Sequence, residues 1–147
     1  MMNNTLIRKG LPKDFETVFS LIKEFSVFQR SADKVSNTPE QMLAEDSLFQ
    51  CFVAEHEGVI VGFASVFFAY YSWSGKALYL DDLYVQEAYR KQGIGGALLK
   101  AVIAYAGETQ CRKVRWQVSN WNHNGIAFYQ KMGAEIDEVE INCDLVL

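Results

Sequence analysis

The segment from Leu78 to Lys100, LYLDDLYVQEAYRKQGIGGALLK, constrains the fold more than any other part of the chain. It reads as an apolar strand, a short charged loop with the pattern Arg-x-x-Gly-x-Gly, and an amphipathic helix. A helix that begins on a glycine-rich loop presents unpaired backbone N–H groups and the positive end of its dipole. These features favour binding of a phosphate or pyrophosphate. The same short pattern is also compatible with a simple turn into a helix.

Length, charge and cysteine content narrow the class of protein. The 147 residues fit one domain, predicted to span 1–147, and 50% of them are apolar. A net charge of −4 without a long Lys/Arg cluster argues against a nucleic-acid surface. The chain has no apolar run of membrane-spanning length and no signal-peptide core. Three widely spaced cysteines favour a cytoplasmic location and argue against a disulfide framework or a zinc site.

Apolar periodicity and turn residues predict the element order β-α-α-β-β-β-α-β-α-β, with a last strand or hairpin at the end. The predicted strands are 5–9, 51–56, 59–71, 78–85, 114–118 and 139–147. Helices are expected from Pro12, after Thr38, from Ile94 to Gly107, and after an Asn124 cap to Met132. Because only one strand–helix–strand crossover occurs, we expect an α/β (α+β) domain with a largely antiparallel sheet flanked by helices.

Two adjacent acids, Asp81 and Asp82, interrupt an apolar strand between Leu80 and Leu83. On a regular strand, successive side chains point to opposite faces, so the two carboxylates should not form a close pair. One is expected to face a cleft, and the other to be exposed or paired. Burial of a lone carboxylate is costly unless its pKa rises, which makes either acid a candidate general base. A structural acid that caps nearby backbone is the alternative.

A third group of residues follows the crossover: Trp121-Asn122-His123-Asn124, then Phe128-Tyr129 and Gly133. A tyrosine early in a helix and close to a strand end can donate a proton to a leaving group, although such aromatic pairs are more often core residues. The two histidines have no second ligand at a suitable spacing, so no metal site is predicted. The aromatic patch at 70–73 suits a pocket wall, a subunit contact or the core.

Taken together and in this order, these motifs resemble the Gcn5-related N-acetyltransferase family. The family's Arg/Gln-x-x-Gly-x-Gly/Ala signature matches Arg90 to Gly95. Its Asn…Phe-Tyr…Gly segment matches Asn122, Phe128-Tyr129 and Gly133. Within the family, the chain is most similar to the diamine (spermidine/spermine) N-acetyltransferases, through stretches at 21–24, 61–64, 75–76, 78–82, 93–95 and 121–122.

The resemblance implies acetyl-coenzyme A (acetyl-CoA) as the cofactor. The backbone of Leu83, Tyr84 and Val85 would pair with the pantetheine arm like an added strand. The pyrophosphate would be held by the loop and first helical turn, namely Arg90, Lys91, Gln92, Gly93, Ile94, Gly95 and Gly96. Asn122, Asn124 and Gly125 would lie beside the coenzyme.

The same resemblance assigns roles in the reaction. Tyr129 matches the catalytic tyrosine, expected to protonate the departing thiolate. Asp81 replaces the substrate-contacting acid, usually Glu, and is the expected water-relayed base. Acceptor contacts are expected from Asp81, Asp82, Phe28 and Gln29, although Gln29 stands where the polyamine enzymes carry an acid.

The expected function is therefore transfer of an acetyl group to a primary amine of a small molecule, by direct attack on the thioester. A diamine or polyamine is the first candidate acceptor. An amino-acid amine, such as that of a lysine analogue, or a protein amino group is the alternative, which Gln29 favours. A non-enzymatic acetyl-CoA sensor is a third reading. The resemblance also implies a homodimer, and neither nucleic acid nor a membrane is an expected partner.

Overall fold

The computed structural model describes residues 4–147, which group into two compact units. The first ends at Gln117 and the second runs from Val118 to Leu147. The single domain over 1–147 stays a prediction. The first unit contains β1 (Thr5–Lys9), α1 (Phe15–Phe28), α2 (Pro39–Ala44), β2 (Gln50–His56), β3 (Val59–Tyr71), β4 (Gly75–Val85), α3 (Ile94–Glu108) and β5 (Lys113–Trp116). The second contains α4 (His123–Lys131).

The five strands form one sheet in the order β1-β2-β3-β4-β5. The strands from β1 to β4 pair antiparallel, and Glu57-Gly58 forms the predicted turn between β2 and β3. β5 runs parallel to β4, because α3 carries the chain back along the sheet before β5 begins. The predicted α/β (α+β) class with a largely antiparallel sheet is therefore confirmed.

Different helices cover the two faces of the sheet. Phe63 and Tyr84, which are paired across β3 and β4, lie in a buried cluster with residues of α1 and α2 such as Phe19 and Met42. Next to Phe63, Gly62 points the other way, and a methyl group there would meet Leu98 of α3 at 3.4 Å. Side chains alternate along a strand, so one face belongs to α1 and the opposite face to α3.

Local sequence explains where the helices begin. Thr38 caps α2, since its Oγ1 accepts the backbone N–H of Gln41 at 3.1 Å and Pro39 occupies the first helical position. The chain makes a 3-10 turn over Pro12–Asp14 before α1 begins. The Asp14 carboxylate accepts the N–H of Leu11 at 2.8 Å and pairs with Arg8 at 2.8 Å, which secures that turn.

Several predicted boundaries differ from the structure: α1 begins at Phe15 rather than at Pro12, and β2, α3 and α4 each differ by one residue at one end. β4 begins at Gly75, not at residue 78, and β5 covers Lys113–Trp116 rather than 114–118. The cap of α4 is Asn122 rather than Asn124, because the Asn122 Oδ1 accepts the N–H of Gly125 at 3.0 Å. The predicted strand at 139–147 is wrong, since these residues form neither helix nor strand and no strand within 118–147 is available to pair with them.

None of the described helices has the length and apolar content to cross a bilayer.

The core of the first unit generates the first prediction. Leu78 in β4 is 0% exposed, whereas Leu6 in β1 is 55% exposed. We expect Leu78→Ala to lower the free energy of unfolding by about 2–5 kcal/mol, because it removes buried methyl groups and leaves a cavity. Leu6→Ala is the matched control and should cost less than about 1 kcal/mol. Urea denaturation measures both, and equal losses would contradict this assignment of the core.

Candidate functional site

A β-bulge at Asp81 shapes the middle of β4. Ser65 pairs with Asp82, yet the next residue of β3, Val66, pairs with Leu80, so Asp81 is an extra residue without a partner on β3. The Ser65 Oγ accepts the backbone N–H of Asp82 at 3.1 Å, which satisfies that donor where the ladder is interrupted. The strand is therefore irregular at the two acids that the sequence singles out.

The bulge brings both carboxyl groups to the same face of the sheet. Asp82 shares the face of its partner Ser65 and of Tyr84, which is the α1 face. Leu80 points to the α3 face, so Asp81, the next residue, also points toward α1. The sequence argument for opposite faces was wrong here because it assumed a regular strand.

Burial and mutual repulsion raise the pKa values of these acids. Burial, followed by the charge of Asp81, raises the pKa of Asp82 from 3.8 to about 7. Desolvation also raises the pKa of Asp81, although water reaches one side of its exposed side chain. A carboxyl group with a pKa of about 7 is partly ionised at neutral pH, so Asp82 can take up or release a proton there.

Beyond the bulge, β4 has an unpaired edge. Within residues 4–147, β5 pairs with β4 only from Ala77 to Leu80. Directly after β4, the backbone N–H of Gln86 donates to the carbonyl of Val61 in β3 at 2.9 Å. Every second residue of an antiparallel strand bonds to the same neighbour, so the residues that bond to β3 are counted back in twos from Gln86. By the same alternation, the backbone N–H and C=O groups of Leu83 and Val85 point away from β3. The Val85 carbonyl accepts the Arg90 Nε–H at 2.8 Å, so the Leu83 groups and the Val85 N–H remain as an edge that an extended ligand could join as a strand does.

The first turn of α3 supplies free N–H groups close in sequence to this edge. Gly93 is the N-cap residue, has φ +83° and makes no side-chain cap. The Ala97 N–H donates to the Gly93 carbonyl at 3.0 Å, so the three preceding N–H groups, at 94–96, lack a helical acceptor. A methyl group at Gly96 would meet no atom within 4 Å. The helix start therefore leaves space that the protein itself does not fill.

Arg90 joins the loop to the end of β4. Its Nε donates to the Val85 carbonyl at 2.8 Å, and its guanidinium lies 5.0 Å from the Phe28 ring and 5.4 Å from the Tyr84 ring. The Tyr84 Oη donates in turn to Glu24 at 2.6 Å, and burial followed by this bond raises the Tyr84 pKa to about 12. The side chains of Arg90 and Tyr84 thus hold α1, the strand end and the loop together. The Tyr84 backbone pairs with Phe63 of β3, so it does not lie on the outer edge where it was expected to meet the cofactor.

The predicted acceptor residues do not share one cavity. Phe28 lines a cleft of about 490 Å³ at the end of α1, together with Glu24, Val27, Tyr84, Gln86, Glu87, Ala88 and Arg90. Asp81, Asp82 and Gln29 are not among its lining residues. The structure therefore associates Phe28 with the Arg90 contact, and the two acids with the sheet face beyond it.

Lys91 and Gln92 lie in the turn between Arg90 and the start of α3, and the other predicted residues lie in the second unit. The Asn122 side chain is committed to capping α4, and a methyl group at Gly125 would come within 2.7 Å of its Nδ2, so this cap requires a glycine there. Asn124 is exposed. The Tyr129 ring makes an edge contact with Phe128 at 5.5 Å, and burial raises the pKa of Tyr129. Tyr129 therefore keeps its proton at neutral pH and is a competent acid.

Sequence reasoning missed two cations on the same face as the acids. Arg115 pairs with Tyr79 and Lys113 with Ala77 across β4 and β5, so both point toward the α1 face. Both contact the Tyr71 ring, with Arg115 Cζ 4.4 Å and Lys113 Nζ 4.7 Å from its centroid. The alternation Lys-Val-Arg-Trp in β5 indicates that the two cations share one face of the strand. Only the sheet register shows that this is the face that also carries the acids.

Comparison with known sequences identifies a family. The acetyltransferase (GNAT) family profile matches residues 15–134. The thialysine N-epsilon-acetyltransferase of Sus scrofa is 31% identical over 95% of this chain and 89% of its own length. The D-amino-acid N-acetyltransferase of Saccharomyces cerevisiae is 30% identical over 95% of this chain and 91% of its own. The spermidine/spermine N(1)-acetyltransferase-like protein 1 of Homo sapiens is 35% identical over 87% of this chain, but over only 20% of its own length.

Solved structures agree on the fold. An aminoglycoside acetyltransferase from an uncultured soil metagenomic sample, in complex with sisomicin, superposes with a TM-score of 0.82 over 98% of both chains at 23% identity. An aminoglycoside N-acetyltransferase in complex with CoA superposes with a TM-score of 0.78 over 96% of this chain and 94% of that chain, at 20% identity. These similarities confirm the architecture that the sequence predicts.

The acid pair generates a titration prediction. The Asp82 carboxyl group should titrate near pH 7, and Asp81→Asn should lower this midpoint, because it removes the neighbouring charge. The midpoint should stay above 3.8, since burial is the larger cause of the shift. Carbon-13 NMR of the aspartate carboxyl groups measures both values.

The same shift fixes the sign of a stability effect. Between about pH 4 and 7, native Asp82 holds a proton that the unfolded chain has lost, so stability should fall as the pH rises through this window. Asp82→Asn should flatten that fall. A wild-type midpoint near the ordinary value of 3.8 would contradict the assigned environment.

Proposed function

The chain belongs to the acetyltransferase (GNAT) family and is an acyl-CoA-dependent N-acetyltransferase, and we propose that it acetylates a primary amine of a small-molecule acceptor. The observation that carries this proposal is the bulge at Asp81, which places two carboxyl groups of raised pKa immediately before the unpaired edge of β4. A proton acceptor and a binding edge for an acyl donor then lie within five residues.

The family uses acetyl-CoA, and this chain has groups that fit it. The outward backbone N–H and C=O of Leu83 suit the amide-rich pantetheine arm, since main-chain groups pair well with an extended amide. The free N–H groups at 94–96 and the space above Gly96 suit the pyrophosphate. Lys91 adds a positive charge to this loop. The family resemblance assigns further coenzyme contacts to Asn122, Asn124 and Gly125.

Proton transfer from the acceptor is assigned to the acid pair. A primary amine with a pKa near ~10 is protonated at neutral pH and must lose a proton before it can attack. Asp81 takes that proton through a water molecule, which its exposed side makes accessible. Asp82 lies on the same face of the sheet and has a pKa of about 7. It can therefore take up a proton when Asp81 becomes ionised and release one when Asp81 becomes protonated.

Two further groups serve the transfer step. Acetyl-CoA supplies the thioester carbonyl that the amine attacks. The outward N–H of Val85 stabilises negative charge on an oxygen at the strand edge. Tyr129 Oη donates the proton that the departing sulfur needs, and its raised pKa keeps that proton available. No covalent enzyme intermediate is required, because holding two reactants in line lowers the barrier substantially.

The relatives support an amine acceptor of low molecular weight. Their names specify thialysine, D-amino acids and spermidine or spermine, all of which carry amines. A diamine and a lysine analogue present the same kind of primary amine to the thioester. They differ in the group at the opposite end of the molecule. The homodimer and the cytoplasmic location that the sequence predicts stay predictions.

The open space at the start of α3 allows cofactor binding to be separated from folding. Gly96→Ala should leave the free energy of unfolding unchanged or slightly higher, because the methyl group meets no protein atom within 4 Å. The same methyl group should weaken CoA binding roughly 10-fold or more by crowding the pyrophosphate, as an overpacked contact costs about 1–3 kcal/mol. Isothermal titration calorimetry with CoA measures the change.

Gly107→Ala is the matched control for this test. Gly107 lies near the other end of the same helix, and a methyl group there also meets nothing within 4 Å. Its CoA affinity should equal that of the parent. Equal affinities for both variants and the parent would remove the start of α3 from the proposed cofactor site.

The proposed function itself is tested by thiol release from acetyl-CoA in the presence of small primary amines. We expect turnover, and we expect Tyr129→Phe to lower kcat roughly 10²-fold while CoA affinity is unchanged, since only the proton donor is lost. Tyr70→Phe removes the hydroxyl of a tyrosine that is 82% exposed and should leave kcat unchanged.

Asp81→Asn in the same assay tests the base. The variant should lose most of its activity at neutral pH and recover part of it at high pH, where the free amine is abundant. A pH profile identical to that of the parent would refute a base function for Asp81. Absence of thiol release with every amine would refute the proposed function as a whole.

A further inference from the structure

The α1 face of the sheet carries opposite charges at two ends, separated by aromatic rings. We call these side chains the charged strip: Asp81, Asp82, Tyr79, Arg115, Tyr71 and Lys113. The acids lie at the bulge, Tyr79 follows two residues back along β4, and the cations lie on β5 at the level of Tyr79 and Ala77. The strip therefore runs from an acidic end, through an aromatic middle, to a basic end.

The basic end forms a pocket of about 260 Å³. Its lining residues are Tyr71, Ser72, Trp73, Ser74, Lys113 and Arg115. Both cations are held on the Tyr71 ring, and within residues 4–147 neither has a carboxylate within 4.0 Å. A guanidinium that lies on an aromatic ring keeps its edge N–H groups directed outward, where they can bind an oxyanion.

Ser74 also lines this pocket. Its Oγ is shielded from solvent and has no hydrogen-bond partner among the described residues. Buried polar atoms are almost always paired in native proteins, so a turn of this side chain toward the pocket would give its hydroxyl a partner on a bound ligand. The two cations are the donor set suited to a carboxylate.

Both ends of the strip act on Tyr79, and among residues 4–147 Asp81 and Arg115 form no ion pair. Burial, then the charges of Asp81 and Tyr71, raise the pKa of Tyr79, and the charge of Arg115 opposes that rise. Asp81 and Arg115 are two residues and one strand apart, a Cα separation of roughly 8 Å. The Tyr79 ring lies between them and stacks on Phe67 at 4.9 Å, which provides an apolar surface for an aliphatic chain.

We propose that Arg115 and Lys113 bind a carboxylate of the acceptor, so that the acceptor is an amino acid acetylated on its side-chain amine at Asp81. This inference rests on the proposed function and specifies its substrate class. In extended lysine the amine nitrogen and the carboxyl carbon are six single bonds apart, roughly 7 Å because the chain zigzags. The two groups can therefore occupy separate positions on the strip, the amine near Asp81 and the carboxylate near the cations. A diamine would place a second cation against Arg115, which is repulsive.

Lysine and cadaverine provide a matched pair of acceptors, since they differ only by the carboxylate. The overall charge of −4 would favour the more cationic cadaverine, so a preference for lysine has to come from the local site. We expect kcat/KM for lysine to exceed that for cadaverine at least 10-fold, with acetylation at the side-chain amine shown by mass spectrometry. Arg115→Gln should remove this preference through a higher KM for lysine, with kcat little changed.

Two further variants keep the test independent of folding. Arg115→Glu should reverse the preference and favour cadaverine, a gain that a misfolded protein cannot show. Arg112→Gln makes the same charge change at a residue that does not line the pocket, and it should keep the parental preference. A lysine-to-cadaverine ratio at or below one in the parent, or equal ratios in Arg115→Gln and Arg112→Gln, would overturn the carboxylate site. Acetylation of cadaverine alone would leave the proposed function standing, whereas thiol release with neither amine would overturn both.

Discussion

The single hydrogen bond between the Ser65 Oγ and the Asp82 N–H supports the geometry on which the site depends. It lies where β3 and β4 lose their regular pairing, and it satisfies the donor that the extra residue would otherwise leave without a partner. Because of that residue, both acids turn to the α1 face. A regular strand would direct one of them into the apolar packing beneath α3, where an unpaired carboxylate is strongly disfavoured.

The part of β4 after the bulge is held by side chains rather than by a neighbouring strand on its outer edge. Arg90 ties the loop to Val85, and Tyr84 ties the strand to Glu24 of α1. Gly62 permits this close packing, since a methyl group there would lie 2.9 Å from the Tyr84 carbonyl oxygen. The strand end is thus fixed from one side, while the backbone groups on its other side keep their capacity to bind. A rigid edge loses less entropy on binding than a flexible one would.

Local features of this protein follow closely from sequence, and features that need two distant segments do not. The Thr38 cap, the Glu57-Gly58 turn and the glycine at the start of α3 are set by residues within a few positions of each other. The bulge depends on the register between Ser65 and Asp82, which no short pattern records. The pairing of two β5 cations with Tyr71 likewise requires the sheet. The predicted last strand was wrong because alternation of apolar residues shows a capacity to pair, not a partner.

The unpaired edge of β4 has a consequence for what it can admit. Exposed strand edges invite pairing with other chains, and proteins limit this hazard by keeping such edges short. Here the edge runs only from the bulge at Asp81 to Val85, with β5 alongside the residues before it and the Arg90 turn after it. Only Leu83 and Val85 direct backbone groups outward there, so a strand of another chain would gain few hydrogen bonds, whereas a short linear amide needs no more. The short edge therefore disfavours self-association without any repulsive charge.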